Sequence, residues 1–98
     1  RREQEEQAEP EMVCIQVVKR LAERFRVFSY HDSQLVKTLP GGVAEVSCNV
    51  TGAREMIPWL TSWGPAVQVL EPEWLRQTLG DHLENTLACY KSHETEEE

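Results

Sequence analysis

The hydrophobic pattern is sharpest between residues 59 and 74, where helical spacing gives way to a short apolar segment and then returns. Gly64 can adopt the left-handed conformation that ends a helix, and Pro65 cannot continue one. The segment over residues 66–70 is mostly apolar and rich in valine, which favours a strand. Pro72 fits the first turn of a second helix. We therefore predict a helix that ends at Gly64, a buried strand and a closing helix.

The first half of the chain carries two further patterns. Residues 12–18 are nearly all apolar and β-branched, which predicts a strand. Apolar residues then recur at steps of three and four as far as Phe25, so a short helix should begin at Lys19. Residues 35–39 and 43–50 read as a hairpin around a Pro-Gly-Gly turn, and alternate residues of its second arm are apolar.

The second half should begin with a helix over residues 53–63. Its inward positions are Met56, Ile57, Leu60 and Trp63. Pro58 lies within this helix and removes a backbone donor, so either the helix is kinked or its first turn is irregular. The closing helix is predicted over residues 72–91.

Leucines recur every four residues along the closing helix. They are Leu75, Leu79, Leu83 and Leu87. Gly80 interrupts this helix at a cost of about 1 kcal/mol relative to alanine, which a close contact with another helix would explain.

The order of these elements is strand, helix, strand, strand, helix, strand, helix. The first six are those of the ferredoxin-like fold, βαββαβ, in which a four-stranded antiparallel sheet carries two helices on one face. The sequence therefore predicts an α+β domain of this type with an added C-terminal helix.

The distribution of charge separates two tails from this domain. The net charge of the 98-residue chain is −7, whereas residues 12–91 contain eight basic and eight acidic side chains. Residues 1–11 and 92–98 are thus predicted to be disordered acidic tails. The single domain between them is small for an independent hydrophobic core, and we expect a homodimer.

Cysteine usage and hydropathy indicate the compartment. Cys14, Cys48 and Cys89 form an odd set without short spacing, which argues against a disulfide framework. No apolar segment is long enough to span a membrane, and no signal peptide opens the sequence. We expect a cytoplasmic protein that has no membrane partner.

A basic cluster interleaved with aromatic residues is the first candidate site. Its members are Lys19, Arg20, Arg24, Arg26, Tyr30 and Lys37. Positive charge beside aromatic rings is what phosphates and unstacked bases require, so the cluster is a candidate contact surface for nucleic acid or another ligand. The alternative is an ordinary solvated helix face beside core aromatic residues.

Catalytic and metal-binding signals are missing from the sequence. The cysteines and histidines show no CxxC or HxxxH spacing. There is no glycine-rich phosphate loop, nucleophile elbow or zincin motif. We predict no catalytic residue, no metal site, no cofactor and no enzymatic activity.

Large apolar residues at the edges of the helical stripes form the second candidate site, a dimer interface. The candidates are Trp59, Trp74, Leu79, Leu83, Leu87 and Tyr90. For Trp59 and Trp74, the rim of the core and a dimer surface are equally consistent with the pattern, whereas Trp63 is predicted to lie in the core.

A family resemblance rests on residues between Gly52 and Tyr90. The matching residues are Leu60, Trp63 and Gly64, then Val67, Val69 and Leu70, then Pro72 and Leu75, followed by the leucine-rich helix. This segment resembles the C-terminal extension, called WCX, of WYL-domain transcriptional regulators. The elements over residues 12–50 fit the same module in order and length.

The resemblance implies a role in gene regulation. WYL-type regulators are bacterial proteins that combine a helix-turn-helix domain, a ligand-sensing WYL barrel and this extension, which serves in dimerisation. It implies that the present chain is a fragment whose parent binds DNA through an N-terminal domain and senses an effector such as single-stranded nucleic acid. The alternative is a free-standing ferredoxin-like domain that binds single-stranded nucleic acid or a small regulatory ligand.

Overall fold

The computed structural model describes residues 9–96, with side chains through Lys91. Within these residues the chain is an α+β domain of four strands and three α-helices. The strands are β1 (Glu11–Val17), β2 (Leu35–Thr38), β3 (Ala44–Val50) and β4 (Val67–Glu71). The helices are α1 (Lys19–Val27), α2 (Ile57–Thr61) and α3 (Glu73–Glu96). The predicted order of elements is confirmed.

The four strands form one sheet in the order β2-β3-β1-β4, and every neighbouring pair is antiparallel. The central pair, β1 and β3, keeps a regular register from Glu11 opposite Val50 to Val17 opposite Ala44. The strand predicted over residues 66–70 is therefore an integral part of the sheet as β4, one residue later than expected.

Alternation along the strands places the core on one face of the sheet. Val13, Ile15 and Val17 of β1 are buried, as are Val46 and Cys48 of β3. These residues form one cluster with buried side chains of all three helices. Gln16 and Glu45 lie opposite each other on the other face, which we call the open face, and remain partly exposed. The alternation predicted for residues 43–50 is confirmed.

The predicted helix over residues 53–63 is shorter and begins irregularly. A 3₁₀ turn over Ala53–Met56 precedes α2, so Pro58 lies in the first turn of the α-helix rather than in its interior. There its missing N–H removes no helical hydrogen bond. Of the two alternatives open in the sequence, the irregular first turn is confirmed.

Gly64 ends this segment as predicted, with a φ angle of +62°. A positive φ angle is strained for any residue with a Cβ atom, so glycine is the favoured residue at this stop. A 3₁₀ turn over Gly64–Ala66 then leads into β4.

The closing helix departs from the prediction at both ends. Glu71 belongs to β4 and α3 begins at Glu73, while Pro72 lies between them and accepts hydrogen bonds from the N–H groups of Leu75 and Arg76. The helix continues to Glu96, five residues beyond its predicted end. Of the other residues predicted as tails, Glu11 belongs to β1 and residues 9 and 10 precede it without regular secondary structure, while residues 1–8 and 97–98 lie outside the described residues.

Candidate functional site: the exposed half of α3 and the adjoining groove

Helix α3 changes from buried to exposed along its length. Leu75 is fully buried and Leu79 is 9% exposed, and both contribute to the core cluster. The next two leucines of the same spacing, Leu83 and Leu87, are 53% and 52% exposed, and Tyr90 is 72% exposed. Every side chain from Gly80 to Lys91 is exposed. The second half of α3 thus extends beyond the body of the domain with its apolar stripe uncovered.

A groove of about 580 Å³ adjoins this stripe. It lies between the first half of α3, strand β4 and the turn that follows α2. Its lining includes Leu60, Gly64, Pro65, Val69, Arg76, Leu79, Gly80 and Leu83. Most of these side chains are apolar, so the groove and the exposed leucines form one continuous apolar surface.

The free edge of β4 forms one wall of this groove. Among the described strands, β4 lies at the end of the sheet and pairs with β1 alone. The N–H of Val18 donates to the carbonyl of Ala66 at 3.1 Å. Since antiparallel hydrogen bonds alternate along a strand, Val67 and Val69 direct their backbone N–H and C=O groups away from β1. Within the described part of the chain, this edge therefore presents backbone groups without a strand partner at the groove.

Trp59 packs within the chain's own aromatic cluster. Its ring lies 4.5 Å from that of Tyr30, 6.0 Å from Phe25 and 6.0 Å from Trp63, measured between centroids. Its side chain is half-buried against the core. The Trp59 ring thus lies at the rim of the core.

Trp74 likewise has partners within the chain. Its indole N–H donates to the Glu11 carboxylate, and the guanidinium of Arg54 lies 5.1 Å from its ring centroid. Counted at 3.6 residues per turn, Trp74 also lies on the side of α3 opposite Leu83. Within the described residues, Leu83, Leu87 and Tyr90 are therefore the exposed members of the predicted interface.

The predicted basic cluster is divided between both faces of the sheet. Lys19, Arg20, Arg24 and Arg26 are exposed on α1, on the face that carries the helices. Lys37 lies opposite Glu45 in the pairing of β2 with β3 and so belongs to the open face. Because strand side chains alternate, the sheet separates Lys37 from α1.

The basic residues of α1 also differ in their contacts. Arg26 pairs with Glu23 at 3.1 Å and donates to the Thr38 hydroxyl, which directs it toward β2. The Arg24 guanidinium instead lies 5.9 Å from the Trp63 ring centroid. The sixth candidate, Tyr30, is half-buried against Trp59. These six side chains do not form one surface.

The open face carries little positive charge. Lys37 lies beside Glu45, and Cys14 lies beside Glu45 and Glu71. Burial, followed by the charge of Glu45 and a hydrogen bond to it, raises the pKa of the Cys14 thiol to about 11. A thiol with so high a pKa is protonated at neutral pH and a poor nucleophile.

Arg76 was missed in the sequence, and Gly80 was noted only as a position that a close helix contact would explain, although a signal that groups both with Leu83 was present. Arg76 and Gly80 precede Leu83 by seven and three positions, so all three share one face of the helix. Counting helical positions from Leu83 would have found them. The groove itself depends on the turn at Gly64 meeting α3, which helical spacing does not encode.

The described part of the chain contains neither a metal-binding cluster nor a helix that could span a membrane. Among the side chains that the structure describes, those of residues 9–91, no group of three or more His, Cys, Asp or Glu is placed to hold a metal ion. No described helix combines the length and apolar character needed to cross a bilayer.

Comparison with known proteins identifies the domain. The family model described as the WCX domain matches residues 6–87. That range holds the whole sheet, α1, α2 and α3 as far as Leu87. A search of curated proteins finds no match. Because the family model covers most of the sequence, the chain belongs to the WCX domain family, the C-terminal extension of WYL-domain regulators.

Proposed function

We propose that this domain is the non-enzymatic dimerisation module of a bacterial WYL-type transcriptional regulator, and that it also flanks the effector site of that regulator. The observation that carries the dimer role is the exposed apolar stripe of Leu83, Leu87 and Tyr90. Such a stripe, continuous with an apolar groove, is typical of a surface that a partner covers.

The physical argument concerns how a helix is stabilised. Most of the stability of a short helix in a protein comes from packing its apolar face, and isolated helices shorter than about 12–15 residues are marginal in water. Residues 80–91 of α3 form such a segment, and all their side chains are exposed. A second copy of the chain would provide the missing packing surface.

The finer description of the fold belongs to this proposal. The strand order β2-β3-β1-β4, with antiparallel neighbours and a helix in each of two crossovers, supports the ferredoxin-like arrangement. In this arrangement the open face is free to lie beside another domain. DNA binding by the regulator would be performed by a helix-turn-helix domain elsewhere in its parent, and the site of action would be the cytoplasm.

The dimer role is tested by the mass of the chain in solution. Sedimentation equilibrium is measured for the 98-residue chain and for its Leu87→Glu variant. Since a carboxylate in the stripe would have to be desolvated, we expect a dimer for the unchanged chain and a monomer for the variant. Leu35→Glu is the matched control, because Leu35 is 71% exposed on the edge strand β2.

Two results would contradict the proposal. One is a chain that stays monomeric at every concentration examined. The other is a dimer that persists in Leu87→Glu but dissociates in the Leu35→Glu control.

The outer face of α1 favours a second candidate function. In this function, a free-standing domain binds single-stranded nucleic acid or a small regulatory ligand. Arg20 and Arg24 are exposed there, and Arg24 lies over the ring of Trp63. Binding should weaken with salt and be lost in the double variant Arg20→Gln, Arg24→Gln. An oligonucleotide titration that shifts no NMR resonance of residues 19–37 would eliminate this candidate.

A further inference from the structure

One face of α3 contains both a cleft and the residues that could fill it. Counting 3.6 residues per turn from Leu83, this face consists of Arg76, Leu79, Gly80, Leu83, Leu87 and Tyr90. The first four of these line the groove beside β4. The last two extend past it, exposed. A surface with a hollow at one end and projecting side chains at the other can pair with itself across a two-fold axis.

Gly80 marks where a second helix could approach. A Cβ atom at this position would have no described heavy atom within 4 Å beyond its own helix and chain neighbours, so close packing inside the domain does not require glycine here. Glycine is unfavourable within a helix compared with alanine. Its absence of a side chain does, however, permit another backbone to come close. The glycine therefore has a role if a helix from outside the domain crosses α3 here.

We propose that two copies of the chain cross their α3 helices in antiparallel orientation about a two-fold axis at Leu83. This inference rests on the dimer role proposed above and specifies its contacts. In this register, positions equally distant from Leu83 face each other. Leu87 of one copy meets Leu79 of the second, and Tyr90 meets Arg76, whose guanidinium can lie over the phenol ring. Leu87 and Tyr90 of each copy thus fill the groove of the other.

The position of the groove favours the antiparallel orientation. In a parallel pairing in register, the groove of one copy would face the groove of the second, and Leu87 and Tyr90 would face their own equivalents, so neither groove would be filled. In the antiparallel pairing, each groove lies opposite the projecting side chains of the other copy.

The contact is short. The face from Arg76 to Tyr90 spans 14 residue steps, or about 21 Å along the helix. A contact between two helices over this length buries a small area compared with most stable protein interfaces. The dimer should therefore dissociate on dilution, which makes its affinity measurable in variants.

The register is tested by cysteine cross-linking. In a Cys89→Ser background, which removes the exposed native thiol, Leu83→Cys is oxidised at concentrations where the chain is dimeric. Because a two-fold axis brings equivalent residues together, we expect a disulfide-linked dimer. Gln77→Cys in the same background is the matched control: it is exposed on α3 but lies away from the proposed face, and should remain uncrosslinked.

Gly80→Ala tests the close approach of the two helices. The added methyl group should raise the dimer dissociation constant about tenfold or more by separating them. In the monomer it should instead stabilise α3, since alanine is the better helix former. A lower unfolding temperature of the dilute variant would mean that Gly80 serves the fold rather than the crossing, and would overturn the inference.

The outcomes separate this inference from the proposed function. A chain that is monomeric at every concentration refutes both. A dimer in which Leu83→Cys does not cross-link, or in which Gly80→Ala binds as tightly as the unchanged chain, refutes the α3 crossing and leaves dimerisation to another surface. The free edge of β4 would then be the surface to examine.

Discussion

Among single residues, Cys14 has the most altered chemistry in the described chain. Its thiol lies on the open face beside the carboxylates of Glu45 and Glu71. Burial is the first cause of its raised pKa, and the nearby negative charge adds to it, because both disfavour the thiolate. The folded chain therefore holds this proton to a higher pH than the unfolded chain does.

This difference predicts a loss of stability at alkaline pH. The thiol pKa is about 11 in the folded state against 9.0 as its reference value, so between these values the unfolded chain binds fewer protons than the folded chain. The contribution of Cys14 to stability is complete below pH 9 and is lost as pH rises through 11. Urea unfolding of Cys14→Ser should show a smaller decline across this range than the unchanged chain.

Comparison of the two proteins isolates the titration of Cys14, since they share every other ionisable group. Identical declines in the free energy of unfolding would mean that the Cys14 proton is not linked to folding.

At the scale of elements, only the first half of helix α3 packs against the core of the domain. Leu75 is fully buried while Leu87 is 52% exposed, although both belong to the same stripe. Leu75→Ala should lower the free energy of unfolding by about 2–5 kcal/mol, because it removes core contacts and leaves a cavity. Leu87→Ala should change it by about 0.5 kcal/mol or less at concentrations where the chain is monomeric.

Urea denaturation monitored by circular dichroism measures both effects. Equal losses for the two variants would mean that Leu87 is packed in the monomer, contrary to the exposure of this part of the helix.

The strands and the hairpin could be predicted from the sequence because their determinants are local. Alternation fixed the inward residues of β3, and the Pro-Gly-Gly turn fixed its pairing with β2. The position of Lys37 on the open face was also predictable from alternation with Val36, which faces the core. The separation of Lys37 from the other basic residues was missed because the basic cluster was defined by position along the chain, without assigning each residue to a face of the sheet.

Two features of the helices could not be predicted from spacing alone. Leucines recur every four residues through both the buried and the exposed half of α3, so the pattern does not show where the helix leaves the domain. The 3₁₀ turn before α2 depends on how Ala53 and Met56 pack in the core. Helical spacing does not encode this tertiary contact, so the sequence left both alternatives at Pro58 open.

At the scale of the whole molecule, the projection of α3 accounts for an extended shape. The radius of gyration is 16.0 Å, whereas a compact domain of about 100 residues has a value of about 13 Å. Helix α3 alone, with 24 residues, is about 36 Å long. The uncovered apolar half of this helix is the feature on which the proposed dimer role rests.

The central claim, that a second copy covers the exposed half of α3, is tested most directly by amide hydrogen exchange at two protein concentrations. We predict that exchange over residues 80–91 slows when the concentration is raised through the dimer dissociation constant, because local fraying of the helix is suppressed. The loop over residues 28–34 should keep its rate. Exchange over residues 80–91 that is the same at both concentrations, in samples shown to change from monomer to dimer, would contradict the account.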